Sequence, residues 1–263
     1  MSRMIPEKIK ERIGAEVGQM DDIGLSGANV CIYENMVLKM APADVEAADE
    51  IAAMKWLKGK LPVPEVLETD ISGDTSYLLM SKAKGKMSCD VSYMKQGELL
   101  TRLLAEALKM LWQVDVTDCP TNVRLEERLN RAEYKVIHGL IDTENVEEGT
   151  YGEGGFAGPE ELLAWLRENR PEEDLVLTHG DFCLPNIFFD GDNVSGYIDL
   201  GKCGVADRYQ DIALCYRSLK YNAEGVYGGE VYEGIDPEML FEYLEIEPDW
   251  EKMKYYLLLD ELF

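Results

Sequence analysis

One short stretch constrains this chain more than anything else in it. His179-Gly180-Asp181-Phe182-Cys183-Leu184-Pro185-Asn186 is followed by Ile198-Asp199-Leu200-Gly201. Asp181 precedes Asn186 by five positions, and Asp199 lies thirteen beyond Asn186. Apolar, strand-like stretches at 175–177, 187–189 and 196–198 surround all three polar residues. The fold must therefore hold two carboxylates and an amide beside short buried strands. Phosphoryl transfer uses such a set: one Asp accepts the hydroxyl proton, and an Asn with a second Asp holds magnesium. That chemistry asks for positioning and charge neutralisation, not for a strong nucleophile. Any one of these residues alone would be an ordinary turn residue. The ordered set at this spacing is not.

Asp199-Leu200-Gly201 stands where protein kinases carry Asp-Phe-Gly. The rest of the chain agrees with a kinase plan. At 263 residues it has room for one large domain or two packed lobes, and 46% apolar residues exclude disorder. The six cysteines are scattered without C-x-x-C or metal spacing, and read as reduced thiols. No apolar run approaches a membrane span, and Met1 to Glu16 is too polar for a signal peptide, so the expected location is cytoplasmic. The net charge of −25 argues against nucleic acid or an anionic membrane as partner. Beside a kinase site it favours a cationic substrate.

The pattern along the chain is strand-rich first and helical afterwards. A short helix is expected over residues 5–13, strands within 17–40, a helix over 43–58, and strands near 66–69 and 75–80. Leu100, Leu103, Leu104, Ala107, Leu108 and Leu111 form a helical stripe. Further helices are expected over 123–138, after Gly158-Pro159-Glu160-Glu161, after Asp236-Pro237-Glu238, and from about Pro248. The expected fold is α+β and protein-kinase-like in two lobes. A small antiparallel-sheet N-lobe (1–83) would bind nucleotide, and a larger, mainly helical C-lobe (84–263) would carry catalysis and substrate binding.

Lys39 is the one cation in the apolar strand Met36-Val37-Leu38-Lys39-Met40. In a kinase it is the phosphate-binding Lys paired with a helix Glu, and Glu50 is the best placed partner. Gly24-Leu25-Ser26-Gly27-Ala28 precedes it as a small-residue loop able to approach phosphates. The Gly152-x-Gly154 stretch does not follow a strand and reads as a loop without a cofactor role. His179 reads as a structural hydrogen-bonding residue, and His138 as surface. Asp260, Glu261 and the carboxylate of Phe263 would meet if the apolar last helix docks. Three anions there oppose the helix dipole unless a cation is expected.

The chain resembles the aminoglycoside O-phosphotransferases, most closely the 3′-phosphotransferases that inactivate kanamycin and neomycin. The likeness spans nearly the whole chain. It is strongest in 37–40, 54–64, His179 to Asn186, 194–201, and Pro248 through Phe263, whose acidic tail is specific to the group. The resemblance implies antibiotic resistance by phosphorylation of a drug hydroxyl, with ATP or GTP as donor and Mg2+ as cofactor. It implies Asp181 as the base and Asn186 and Asp199 as metal ligands. It implies nucleotide contacts from Lys39, Glu50, Ser26, Ser81 and Ala83. Glu161, Asp260, Glu261 and Phe263 would hold the cationic aminoglycoside. A monomer or weak dimer is expected. Three positions depart from the group's pattern: Val37 in place of an aromatic, Gly158 in place of an acid, and Lys202 in place of Arg. Two alternatives stay open. One is a kinase of the same fold for choline, homoserine, a methylthio-sugar or a macrolide; the other is a silent nucleotide-binding protein.

Overall fold

A computed structural model describes residues 5–21 and 28–263. The chain opens with helix α1 (Glu7–Ile13), then strands β1 (Gln19–Asp21), β2 (Asn29–Ile32) and β3 (Met36–Pro42). Helix α2 (Val45–Leu57) and strands β4 (Val66–Ser72) and β5 (Thr75–Ser81) follow. The strands form one antiparallel sheet in the order β1-β2-β3-β5-β4. Alternation along β3 and β5 divides its two faces. Leu38, Met40, Tyr77 and Leu79 pack with Ile9 and Ile13 of α1. Leu78 and Met80 point the other way and join Ala53, Met54 and Leu57 of α2 in the main core. Lys39 is paired across the sheet with Leu78, so its side chain leaves on the α2 side. Helix α2 starts where Asp44 accepts a hydrogen bond from the Ala47 N–H, which supplies one of the helix's missing acceptors.

The remainder is mostly helical. After β6 (Lys86–Met87) and the short α3 (Val91–Met94) runs α4 (Gly97–Trp112). All six apolar residues of its stripe are fully buried, as the helical spacing requires. Helices α5 (Leu125–Ile137) and α6 (Pro159–Glu168) follow, the latter with Pro159 in its first turn. Strands β7 (Leu175–Thr178), β8 (Ile187–Asp190), β9 (Asn193–Tyr197) and β10 (Gly204–Asp207) then form two small antiparallel sheets, β7-β10 and β6-β8-β9. Helix α7 (Arg208–Ala223) was not located by the sequence pattern. It is buried on nearly every side from Tyr209 to Cys215, so it shows no two-faced periodicity to read. Helices α8 (Met239–Leu244) and α9 (Trp250–Asp260) end the chain, α9 capped by Asp249. No described helix is long and apolar enough to cross a membrane.

Candidate active site

The small sheets place the conspicuous residues at their ends. Strand β7 runs into His179-Gly180-Asp181, and β9 runs into Ile198-Asp199. His179 is fully buried. Its Nε2–H donates to the Ile198 carbonyl (2.9 Å), and its Nδ1 accepts from the Asp181 N–H (3.3 Å). Those partners require the neutral imidazole with the proton on Nε2. His179 thus ties the two loops together and faces no open acceptor. Gly180 has φ +85, and a Cβ there would sit 2.0 Å from the Lys202 carbonyl oxygen. Only glycine lets the two loops approach so closely.

Asp181 is held from both sides. Its Oδ1 accepts from the Cys183 thiol (3.2 Å), and its Oδ2 accepts from the Asn186 amide (3.2 Å). Asn186 also donates to the Asp181 carbonyl (3.0 Å), which leaves its own side-chain oxygen free of these bonds. Burial, with the Asp181 charge, pushes the Cys183 thiol up, so it stays a donor. Asp199 lies in the left-handed region (φ 61, ψ 55), which a non-glycine residue occupies at a cost of about 1–3 kcal/mol.

Lys39 joins the sheet to these loops. Its Nζ lies 2.9 Å from Glu50 Oε2 and 2.6 Å from Asp199 Oδ1. Burial alone would lower the lysine, but the two carboxylates raise it above the usual range, so it is a fixed cation. For Asp199, burial is outweighed by Lys39, which holds the carboxyl below its usual range and ionised. The pairing of Lys39 with Glu50 is the one expected from the sequence, and Asp199 completes a triad.

Beneath the loop sits Asp211 of α7, fully buried. Its two oxygens accept from the N–H groups of His179 (2.6 Å) and Gly180 (2.9 Å). Burial pushes its carboxyl up to about 6, against the pull of these two donors. Sequence reasoning missed Asp211. The available signal was an acid among Tyr209, Ile212, Ala213 and Leu214, since a lone acid in an apolar helix needs donors from elsewhere.

The remaining expected site residues fall in two regions. At the end of β5, the Ser81 N–H is already taken by the Glu65 carbonyl (2.9 Å) and its hydroxyl accepts from the Glu65 N–H (2.9 Å). The main-chain groups of Ala83 have no hydrogen-bond partner among the described residues. Ser26 lies outside the described residues. At the other end, α9 docks as expected, with Met253, Tyr256, Leu259 and Leu262 buried. The tail anions do not stand alone, however. Asp260 is paired with Arg217 of α7, and Glu261 lies 3.9 Å from the same guanidinium. The main-chain oxygen of Phe263 accepts from Lys135 (2.9 Å), and its ring lies under Arg128. The expectation of unbalanced anions is corrected accordingly: α5 and α7 supply cations from more than forty residues away in sequence, a distance no local pattern spans. Glu161 is exposed at the start of α6 and accepts from the Ala157 N–H, so it closes the first turn of that helix.

An antiparallel sheet on a helical body, with a lysine bridging a helix glutamate and a loop aspartate, defines a kinase-like phosphotransferase. Residues 24–256 match the model of the phosphotransferase enzyme family. The aminoglycoside 3′-phosphotransferase of Enterococcus faecalis is 42% identical over 241 residues, covering 88% of this chain and 86% of that one. That of Niallia circulans is 38% identical over 272 residues, covering 100% and 98%. Among solved structures, an aminoglycoside-3′-phosphotransferase of type VIII superposes with a TM-score of 0.81 at 27% identity, covering 97% of both chains. An aminoglycoside phosphotransferase from Streptomyces rimosus, solved with ADP and streptomycin, gives 0.76 at 25% identity over 97% of this chain and 95% of its own. The chain belongs to the phosphotransferase enzyme family.

Proposed function

We propose that this enzyme is an aminoglycoside 3′-O-phosphotransferase that transfers the γ-phosphate of ATP or GTP to a sugar hydroxyl of kanamycin- and neomycin-type antibiotics. The observation that carries the reading is the bridge from Lys39 to Glu50 and Asp199, set beside an Asp181 fixed by Asn186. Lys39 touches both carboxylates, and His179 ties the loop of Asp181 to that of Asp199. Relatives at 38–42% identity that bear the aminoglycoside 3′-phosphotransferase name support the substrate class.

In this reading Asp181 orients the acceptor hydroxyl and takes its proton as the phosphoryl group is transferred. Lys39, held by Glu50, grips the donor phosphates. Asp199 and the free side-chain oxygen of Asn186 fit a hard cation such as Mg2+, which takes few protein oxygens and otherwise phosphates and water. Bound there, the ion would neutralise the charge on the phosphates. Ser26, outside the described residues, is assigned to the donor phosphates. Ala83 offers the purine its main-chain groups, whereas the Ser81 N–H is already used by Glu65. Glu161, Asp260, Glu261 and Phe263 receive the acceptor's ammonium groups. Residues 1–83 act as the nucleotide lobe and 84–263 as the catalytic and acceptor lobe. The enzyme works in the cytoplasm, as a monomer or weak dimer, and protects its host by inactivating the drug. Phosphorus NMR of the product formed from kanamycin and ATP tests the assignment. A phosphate ester at the 3′ oxygen is expected, and a phosphate elsewhere or on no product contradicts it.

A further inference from the structure

Arg217 of α7 meets three carboxylates at once. One nitrogen of its guanidinium pairs with Asp260. The other lies 3.3 Å from Glu147 and 3.9 Å from Glu261. Glu147 belongs to the long α5–α6 connection, and its N–H donates to Glu261 (3.3 Å). Arg217 is therefore the point at which helix α7, the 138–158 connection and the α9 tail come together. Its side chain is only 16% exposed, and the Glu261 side chain only 7%. Three acids on one guanidinium leave the cluster anionic. Burial, with the neighbouring Glu147 charge, pushes Glu261 up to about 7. Asp260 goes the other way, because Arg217, with Arg128 and Lys202 behind it, outweighs burial and holds the carboxyl low.

We propose that Arg217 is a positioning residue for acceptor specificity: it clamps the 147–150 segment to the tail so that their acids meet a polycationic acceptor already arranged. This rests on the reading of the tail as the acceptor site. The planar fork of arginine suits the task, since it can hold two carboxylates in fixed directions. With the clamp gone, loop and tail must be ordered at the moment of binding, which weakens acceptor binding. Lys39, Asp181 and Asp199 are untouched, so the chemical step and the nucleotide are spared.

The test is steady-state kinetics with kanamycin and ATP on Arg217→Met, Arg217→Lys and Glu147→Gln, with a Phe263 deletion as control. Arg217→Met should raise the kanamycin KM about tenfold or more, while the ATP KM stays within about twofold and kcat is largely kept. Arg217→Lys should recover part of the loss, and Glu147→Gln should shift the kanamycin KM in the same direction with an unchanged melting temperature. If Arg217→Met does not fold, the other two variants decide the matter. Equal rises in both KM values, or a fall in kcat with an unchanged kanamycin KM, would overturn the clamp. If deleting Phe263 raises the kanamycin KM but the Arg217 and Glu147 variants do not, the clamp alone fails. If deleting Phe263 has no effect on that KM, the acceptor reading of the tail fails, and the clamp with it.

Discussion

Asp199 combines three demands in one residue: a left-handed backbone, a half-buried carboxylate and a 2.6 Å ion pair with Lys39. The conformation itself costs stability, and the ion pair with Lys39 works against that cost. Replacing it with Ala frees Lys39 from one partner and removes the proposed metal ligand. Asp199→Ala should lose magnesium-dependent turnover, with activity down about 10²-fold or more. A titration of turnover against Mg2+ checks this, and a variant with an unchanged magnesium profile would remove Asp199 from the metal site. At this scale the sequence was informative because kinase chemistry needs few residue types at fixed spacing. Lys39, Glu50, Asp181, Asn186 and Asp199 stand out that way as candidates, and folding brings Lys39 onto Glu50 and Asp199 and Asn186 onto Asp181. Asp211 and Arg217 were not, because their partners are main-chain N–H groups and acids brought near by folding alone.

Among the elements, α7 carries the most hidden structure. Asp207 caps it by accepting from the Tyr209 N–H, and also pairs with Lys252 of α9 (2.8 Å). One turn further, Asp211 accepts the N–H groups of His179 and Gly180, and Ser218 accepts the Leu184 N–H (3.0 Å). The helix is thus the acceptor bed for the catalytic loop's backbone. Asp211→Ala would leave two buried donors unpaired, at about 1–3 kcal/mol each. The expected result is a melting temperature lower by several degrees together with lost turnover, and an unchanged melting curve would show that water replaces the carboxylate. The strands and amphipathic helices were legible from periodicity, α4 most clearly. α7 was not, because a helix buried on nearly all sides shows no polar face.

For the whole molecule, most of the acids behind the charge of −25 are exposed, but three of them gather at one place. Glu147, Asp260 and Glu261 converge on one arginine, with Tyr151 beside Glu261. Glu261, pushed up to about 7 by burial, titrates near neutrality. Its folded value lies above its unfolded one of 4.5, so its contribution to stability is complete below about 4.5 and is lost as pH rises through 7. Acceptor binding has the opposite sign, because a cation needs the ionised carboxyl. The kanamycin KM should therefore rise as pH falls from about 8 to 6, with the ATP KM changing less. Equal pH profiles for both substrates would refute the role of Glu261. Added salt should raise the same KM, since ion pairs carry the binding. The global plan was readable from the order of strands and helices. The pairing of tail anions with the chain's own cations was not, since it links α5, α7 and α9 across the core.

The central claim is tested most directly by a coupled nucleotide-turnover assay with magnesium, ATP or GTP, and kanamycin, run beside Asp181→Asn. Kanamycin-dependent turnover is expected in the enzyme, with a loss of about 10²-fold or more in the variant, whose amide cannot take the hydroxyl proton. Turnover that ignores kanamycin and its relatives, or that survives intact in Asp181→Asn, would contradict it.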